Sequence, residues 1–155
     1  MNLEKENFLR TKFITLLQRL NGNTPGRWGK MNVHQMIEHF TDVMMAASGK
    51  IQLPIVTPVD KLEKFREFLL SEKPFKENTK SPVLPAEPPP SKKHTREAAI
   101  GKLQEEIIYF FESFDNNPGK KTINPVFGEL NFEENIQLLH KHALHHLKQF
   151  GVEVF

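Results

Sequence analysis

The sequence contains no cysteine among its 155 residues. This absence excludes disulfide bonds, thiolate catalysis and cysteine-ligated zinc, so any bound metal must be held by imidazole or carboxylate groups. It also fits a reducing compartment. Apolar volume is not lacking, because thirteen phenylalanines are present. A single domain covering residues 1–155 can therefore form its core without disulfide bonds.

Long apolar runs are also missing. No segment approaches the ~18 apolar residues needed to span a bilayer. The first residues mix acidic and basic side chains and lack the apolar stretch of a signal peptide. We therefore expect a soluble, cytoplasmic protein without a membrane partner. The formal net charge of +2 is nearly balanced and the lysines are scattered, which disfavours nucleic acid as a partner.

Four segments show the apolar periodicity of amphipathic helices, and turn-forming residues separate them. They run from about Leu3 to Leu20, Val33 to Ser48, Arg96 to Phe114 and Phe132 to Phe150. Four helices joined by one long connection predict an all-α fold, a four-helix bundle in which metal sites are built from side chains on facing helices.

The ends of these helices carry specific capping signals. Asn32 and Asn131 are each followed three positions later by a glutamine or a glutamate, which predicts a capping box at both helix starts. Thr95 is the predicted cap of the third helix, and Gly151 is the residue expected to end the fourth. The residues that follow form only a short tail.

The connection between the second and third helices is rich in proline. Eight of the eleven prolines lie between Pro54 and Pro90. A short helix is predicted at Asp60–Leu70, and Pro82–Pro90 is predicted to be extended and polyproline-like. A connection of this length can act as a lid, or it can be a crossover strap that lies on the bundle and joins two parallel helices. The sequence leaves both interpretations open.

Four of the seven histidines lie close together in the fourth helix. Only His142 and His146 have the i, i+4 spacing that places two imidazoles on one helical face, roughly 5–6 Å apart at Cβ. A rotation of ~100° per residue puts this pair at the edge of the apolar stripe, whereas His145 faces solvent and His140 lies on the opposite flank. His39 lies at the same relative edge of the second helix. The three imidazoles can therefore converge on one metal and leave a position open for water or substrate.

Less specific interpretations exist for the same residues. A single histidine at the edge of a core is usually a hydrogen-bonded core residue, and an i, i+4 pair also occurs by chance in histidine-rich helices. Asp42 and Glu38 are candidate general bases near His39, although each is more typical of a solvated helix face. Ala143 occupies the position of the catalytic glutamate in the H-E-x-x-H motif, which disfavours peptide hydrolysis of that type.

Two further side chains are candidates for a supporting role. Gln149 lies on the same helical edge as the histidine pair and is available as the hydrogen-bond partner of a metal ligand. Trp28, the only tryptophan, lies just before the second helix and either covers the end of the bundle or borders the pocket.

Five sequence blocks carry a family resemblance, and they extend over nearly the whole chain. They are Trp28–Asn32, Gln35–His39, Ser71–Phe75, Asn124–Leu130 and His142–Gly151. On these blocks the chain resembles the DinB/YfiT-like superfamily of metal-dependent enzymes, and an uncharacterised bacterial branch is the nearest match.

The resemblance implies an up-down-down-up four-helix bundle that holds a divalent metal, zinc or nickel, on His39, His142 and His146. Members with known roles include S-transferases that use low-molecular-weight thiols, an isomerase of related chemistry, and hydrolases. Many members form dimers, so a homodimer is among the expectations. Asn124 departs from the branch, where a histidine is expected.

Two functions of different class compete at this point. The first is a metalloenzyme that activates water or a small thiol for hydrolase or S-transferase chemistry on a small-molecule substrate. The absence of cysteine favours it, because the nucleophile then comes from the metal site rather than from the protein. The second is a non-catalytic helical-bundle module for binding or dimerisation, with a vestigial metal site. Metal content of the purified protein distinguishes the two.

Overall fold

The computed structural model describes residues 2–78, 88–92 and 95–154, and its regular structure is mostly helical, which confirms the all-α class. The helical elements are α1 (Leu3–Asn7), a π-helical turn (Phe8–Lys12), α2 (Phe13–Arg19), α3 (Val33–Ser48), α4 (Val59–Leu70), α5 (Arg96–Asn116) and α6 (Phe132–Gln149). Two short strands, β1 (Thr122–Asn124) and β2 (Gly128–Leu130), form an antiparallel hairpin. Within these described ranges no helix has the length and apolar character that crossing a bilayer requires.

The predicted helices agree closely with the observed ones, but two local features were not predicted. The first helix is helical throughout, yet it contains the π turn, in which the backbone N–H of Phe13 donates to the carbonyl of Phe8. A π turn contains about one residue more than an α turn, so Phe13, five residues after Phe8, returns to the same side of the helix. Phe8, Leu9 and Phe13 are therefore all buried. The second feature is the hairpin. The predicted extended segment lies outside the described residues over positions 82–87.

The helix caps form as predicted. The side chain of Asn32 accepts from the backbone N–H of Gln35, whose own side chain accepts from the backbone N–H of Asn32. Asn131 and Glu134 repeat this reciprocal pair at the start of α6. Each box satisfies backbone donors that the first helical turn leaves unpaired. Both caps therefore fix where a histidine-bearing helix begins.

The C-terminal end of α6 also follows the prediction. Gly151 adopts the left-handed conformation with φ +81°, and the N–H of Val152 donates to the carbonyl of Leu147 over 2.8 Å. The tail beyond it is docked, because Val152 and Val154 pack against the main core.

The core has two parts. The larger cluster joins the N-terminal helical segments, α3, α5 and α6 through fully buried side chains such as Phe13, Phe40 and Phe110. A smaller cluster packs Leu69 of α4 against Leu138 of α6 and against the hairpin.

The hairpin turn is held by Asn124, whose Oδ1 accepts from the backbone N–H groups of Val126 and Phe127. At the position where the family resemblance expects a histidine, this asparagine therefore has a structural role.

Contacts at both ends of α3 show which part of the chain lies beside it. Near its start, Gln35 donates to the carbonyl of Pro89, and the carboxylate of Glu38 accepts from the backbone N–H of Lys92, just before α5 begins. Past its end, Lys50 pairs with Glu106 in the middle of α5 over 2.9 Å. The two helices therefore lie side by side and run in the same direction.

Candidate metal centre

The site forms where α6 crosses α3. The crossing is fixed near the start of α6 by Asn135, which is buried and donates to the hydroxyl of Thr122 over 3.1 Å. That hydroxyl in turn donates to the carbonyl of Ala47 near the end of α3, over 2.8 Å. With this end fixed and both helix starts capped, the edge of α6 that carries His142 faces the edge of α3 that carries His39.

The structure brings His39, His142 and His146 together, as the helical spacing predicts. The Nε2 atoms of His39 and His142 are 3.4 Å apart, and those of His142 and His146 are 2.8 Å apart. One ring nitrogen from each residue lies within 4.8 Å of both others. Three imidazoles from two helices thus share a single point of convergence.

This donor set fits a divalent metal. A tetrahedral zinc with Zn–N bonds of about 2.0–2.1 Å requires its nitrogen ligands to be about 3.3–3.4 Å apart. The separation of the His39 and His142 nitrogens meets that requirement. The His142 and His146 nitrogens are closer, at a hydrogen-bonding distance, so their rings have to part by about 0.5 Å to share an ion of this size. A movement this small is within the reach of side-chain rotation.

Electrostatics keep the three rings neutral at neutral pH. Burial lowers the pKa of His39 to about 4, and a smaller contribution comes from His145. Burial likewise lowers the pKa of His146 to about 3, with the neighbouring His39 adding to the effect. The pKa of His142 is held well below its ordinary value by burial and by the other two rings. Because a metal binds the neutral imidazole, the site does not have to lose protons first.

Two phenylalanines and one glutamine surround the three rings. Phe40 packs against His142 from α3, and Phe75 approaches it from the segment after α4, with ring centroids 5.2 and 5.9 Å away. Gln149 lies beside His146, as the sequence predicts, with its Oε1 2.9 Å from Nδ1. Phe75 was not identified as a site residue from sequence, because the segment after α4 has no periodic pattern that shows where it folds.

The prediction that His145 faces solvent is wrong. Its ring lies 5.3 Å from Trp28 and 5.7 Å from Phe75, measured between centroids, and the residue is half-buried. A helical projection considers α6 alone, whereas two loops fold over this flank. His145 nevertheless stays outside the converging group. His140 lies on the opposite flank, as predicted, with its ring 5.2 Å from Phe8.

The two carboxylates considered as general bases have other positions. Glu38 accepts from the backbone N–H of Lys92 with both oxygens, at 2.9 and 3.0 Å, and so fixes the connection before α5. Asp42 is exposed on the surface of α3. A structural role is therefore visible for Glu38, and the solvated position expected for Asp42 is found.

Comparisons with family models, with curated proteins and with solved structures find no match.

Proposed function

We propose that this chain is a metal-dependent enzyme that holds a divalent ion, zinc or nickel, on His39, His142 and His146. The observation that carries this proposal is the convergence of three imidazole nitrogens within 4.8 Å of one another from two separate helices. Three neutral nitrogen ligands, with room for a further group, are typical of catalytic rather than structural metal sites.

We further propose that the fold is an up-down-down-up four-helix bundle of the DinB/YfiT-like type. Lys5 contacts Gln137, and Phe8 contacts His140, so the N-terminal helix and α6 run parallel to each other. The start of α3 contacts the segment before α5, and Lys50 past its end contacts the middle of α5, so these two helices also run in the same direction. In contrast, the start of α6 lies near the end of α3, through Asn135 and its neighbours. These three relationships support the bundle topology that the sequence resemblance implies.

The proposed reaction is the activation of water or of a small thiol, used for hydrolysis or S-transfer on a small-molecule substrate. A divalent metal on three neutral imidazoles supplies Lewis-acid activation, since the ligands do not neutralise its charge. The chain contributes the orientation of the three rings and a partly apolar surrounding that limits access of water. His39 and His142 are only partly buried, which leaves the site within reach of a small molecule.

A non-catalytic helical module remains the second candidate, and one distance favours it. The 2.8 Å separation of the His142 and His146 nitrogens is that of a hydrogen-bonded pair, an arrangement that is stable without any ion. In this alternative the histidines are a structural remnant, and the protein acts through binding or dimerisation.

Metal analysis of the purified chain tests the proposal. We expect close to one equivalent of zinc or nickel per chain after loading and gel filtration, and much less in a His39→Ala variant. Loaded protein is then assayed with activated esters and with thiol acceptors, and its mass in solution is measured by light scattering to test for a homodimer. Failure of the native chain to retain either metal would favour the non-catalytic module.

A further inference from the structure

Gln149 at the end of α6 connects His146 to the loop that carries the only tryptophan. Its Oε1 lies 2.9 Å from Nδ1 of His146, and its Nε2 donates to the backbone carbonyl of Trp28 over 2.9 Å. The residue is only 3% exposed, so neither amide atom can readily exchange its partner for water. One buried side chain therefore bridges a candidate metal ligand and a loop.

The two partners determine which way the amide points. A backbone carbonyl can only accept a hydrogen bond, so the group of Gln149 that faces Trp28 must be its NH₂. The oxygen that remains also only accepts, so Nδ1 of His146 must carry the proton. The lone pair of the neutral ring then lies on Nε2, the nitrogen that faces His142. Gln149 thus selects the tautomer that a metal at the convergence point requires.

The loop is built closely around this amide. The backbone N–H of Arg27 donates to the backbone carbonyl of Gln149 over 2.7 Å. Gly29 adopts φ +76°, and a Cβ atom there would lie 3.0 Å from Nε2 of Gln149. Glycine at this position therefore meets two requirements, the left-handed backbone and the close approach. The indole of Trp28 lies against His145, next to the proposed ligand.

We propose that Gln149 is a positioning residue of the three-histidine site and that it couples metal occupancy to the Trp28 loop, residues 25–31. This inference rests on the proposed function for the metal itself, but the selection of the His146 tautomer precedes any metal. Coupling of this kind is reciprocal. If the loop orients His146 for the ion, then the bound ion must also stabilise this conformation of the loop. The fluorescence of Trp28, the single tryptophan, must then change when metal binds.

The tautomer is measured first, on ¹⁵N-histidine-labelled protein without metal at pH 8. Long-range ¹H–¹⁵N correlation spectra should show His146 protonated on Nδ1 and unprotonated on Nε2 in the native chain. Gln149→Met keeps the length of the side chain but removes both hydrogen bonds, so we expect it to give mixed tautomers. Gln149→Glu still accepts from Nδ1 but cannot donate to Trp28, so it should keep the tautomer and release the loop.

Metal binding is measured second, by competition with a chromophoric chelator and by Trp28 fluorescence. We expect Gln149→Met to weaken zinc binding by about 10- to 100-fold and to abolish the change in fluorescence on metal addition. Gln137→Met is the matched control, because Gln137 also lies on α6 and its amide also joins a side chain, that of Lys5, to a backbone carbonyl, that of Ser71 after α4, and neither partner is a histidine. It should leave the affinity and the fluorescence response unchanged.

Two results would overturn the inference. One is a mixed or Nε2-protonated His146 in the native chain, whether or not metal binds. The other is an equal loss of zinc affinity in the Gln149 and Gln137 variants, with folding of both verified by circular dichroism. If the native chain shows the expected tautomer but retains no metal, the selection of the His146 tautomer by Gln149 is supported, whereas the coupling of the loop to metal and the proposed function both fail.

Discussion

His39 of α3 and His142 of α6 are 103 positions apart in the chain, yet their Nε2 atoms lie 3.4 Å from each other. This separation matches the ligand spacing of a tetrahedral metal site more closely than that of a hydrogen bond between two rings. Phe40, next to His39 in sequence, packs against the ring of His142 and also against Phe13 in the main core. The site therefore packs directly on the main hydrophobic core.

The two adjacent histidines of α6 should differ sharply in their effect on metal binding. His146→Ala removes one of the three converging nitrogens and should abolish metal retention. His145→Ala removes a ring that packs on Trp28 and Phe75 but supplies no ligand, so metal should be nearly fully retained despite some loss of stability. Metal content after gel filtration measures both. Equal loss of metal in the two variants would show that the assignment of the ligands is wrong.

The metal-free protein should lose stability as the pH falls from about 6.5 towards 4. Unfolded histidines titrate at the ordinary value of 6.5, whereas burial lowers the pKa of His39 and His140 to about 4 and that of His146 to about 3. Between these values the unfolded chain binds protons that the folded chain does not, so the free energy of unfolding decreases with decreasing pH. Thermal unfolding after chelator treatment, followed from pH 7.5 to 4.5, measures this.

A paired variant identifies the source of that sensitivity. His39→Gln/His146→Gln removes two of the depressed groups and should flatten the dependence of the melting temperature on pH. His140, His142 and His145, whose pKa values burial also lowers, remain in the variant together with carboxylates such as Glu106, and these groups account for whatever dependence persists. A native melting temperature that is constant or higher in acid would contradict the prediction.

The features that could be predicted from sequence are those set by local structure. The helix predicted from about Val33 to Ser48 agrees with the observed one, because its apolar periodicity is regular and Asn32 starts it with a capping box. The pairing of His142 with His146 follows from helical spacing alone. Predicting His39 as the third ligand required only one further assumption, that the edge of α3 that carries His39 faces the edge of α6 that carries His142 and His146.

The features that were missed depend on contacts between distant segments. The hairpin forms because Asn124 holds a tight turn and because β2 ends in Leu130, which is buried in the small cluster; strands of three residues leave too short a pattern to be recognised in sequence. His145 is covered by Phe75 from a loop whose path no periodicity predicts. In both cases tertiary packing, rather than local preference, determines the result.

Lys141 should contribute strongly to stability despite its charge. It is only 6% exposed, and its ammonium group donates to the backbone carbonyls of Phe68, Ser71 and Lys73, where α4 ends. Lys141→Met removes three charge-assisted hydrogen bonds, so we expect a loss of about 2–3 kcal/mol in the free energy of unfolding. Urea denaturation measures it. Lys148→Met is the control, because Lys148 is exposed and its pairing with Glu77 is solvated; a loss of similar size in both variants would refute the role of Lys141.

Two glycine-to-alanine substitutions should act in opposite directions. Gly101 lies on the exposed face of α5, where a Cβ atom would have nothing within 4 Å. Gly101→Ala should therefore stabilise the protein by about 0.5–1 kcal/mol, because alanine reduces the backbone entropy of the unfolded chain. Gly29 has φ +76°, and a Cβ atom there would meet the amide of Gln149 at 3.0 Å. Gly29→Ala should therefore destabilise the protein by about 1–2 kcal/mol. Because that amide also holds His146, zinc affinity should fall in Gly29→Ala and stay unchanged in Gly101→Ala. Chemical denaturation together with zinc competition measures both effects, and a Gly29→Ala protein with native stability and native affinity would show that the loop does not need this close approach.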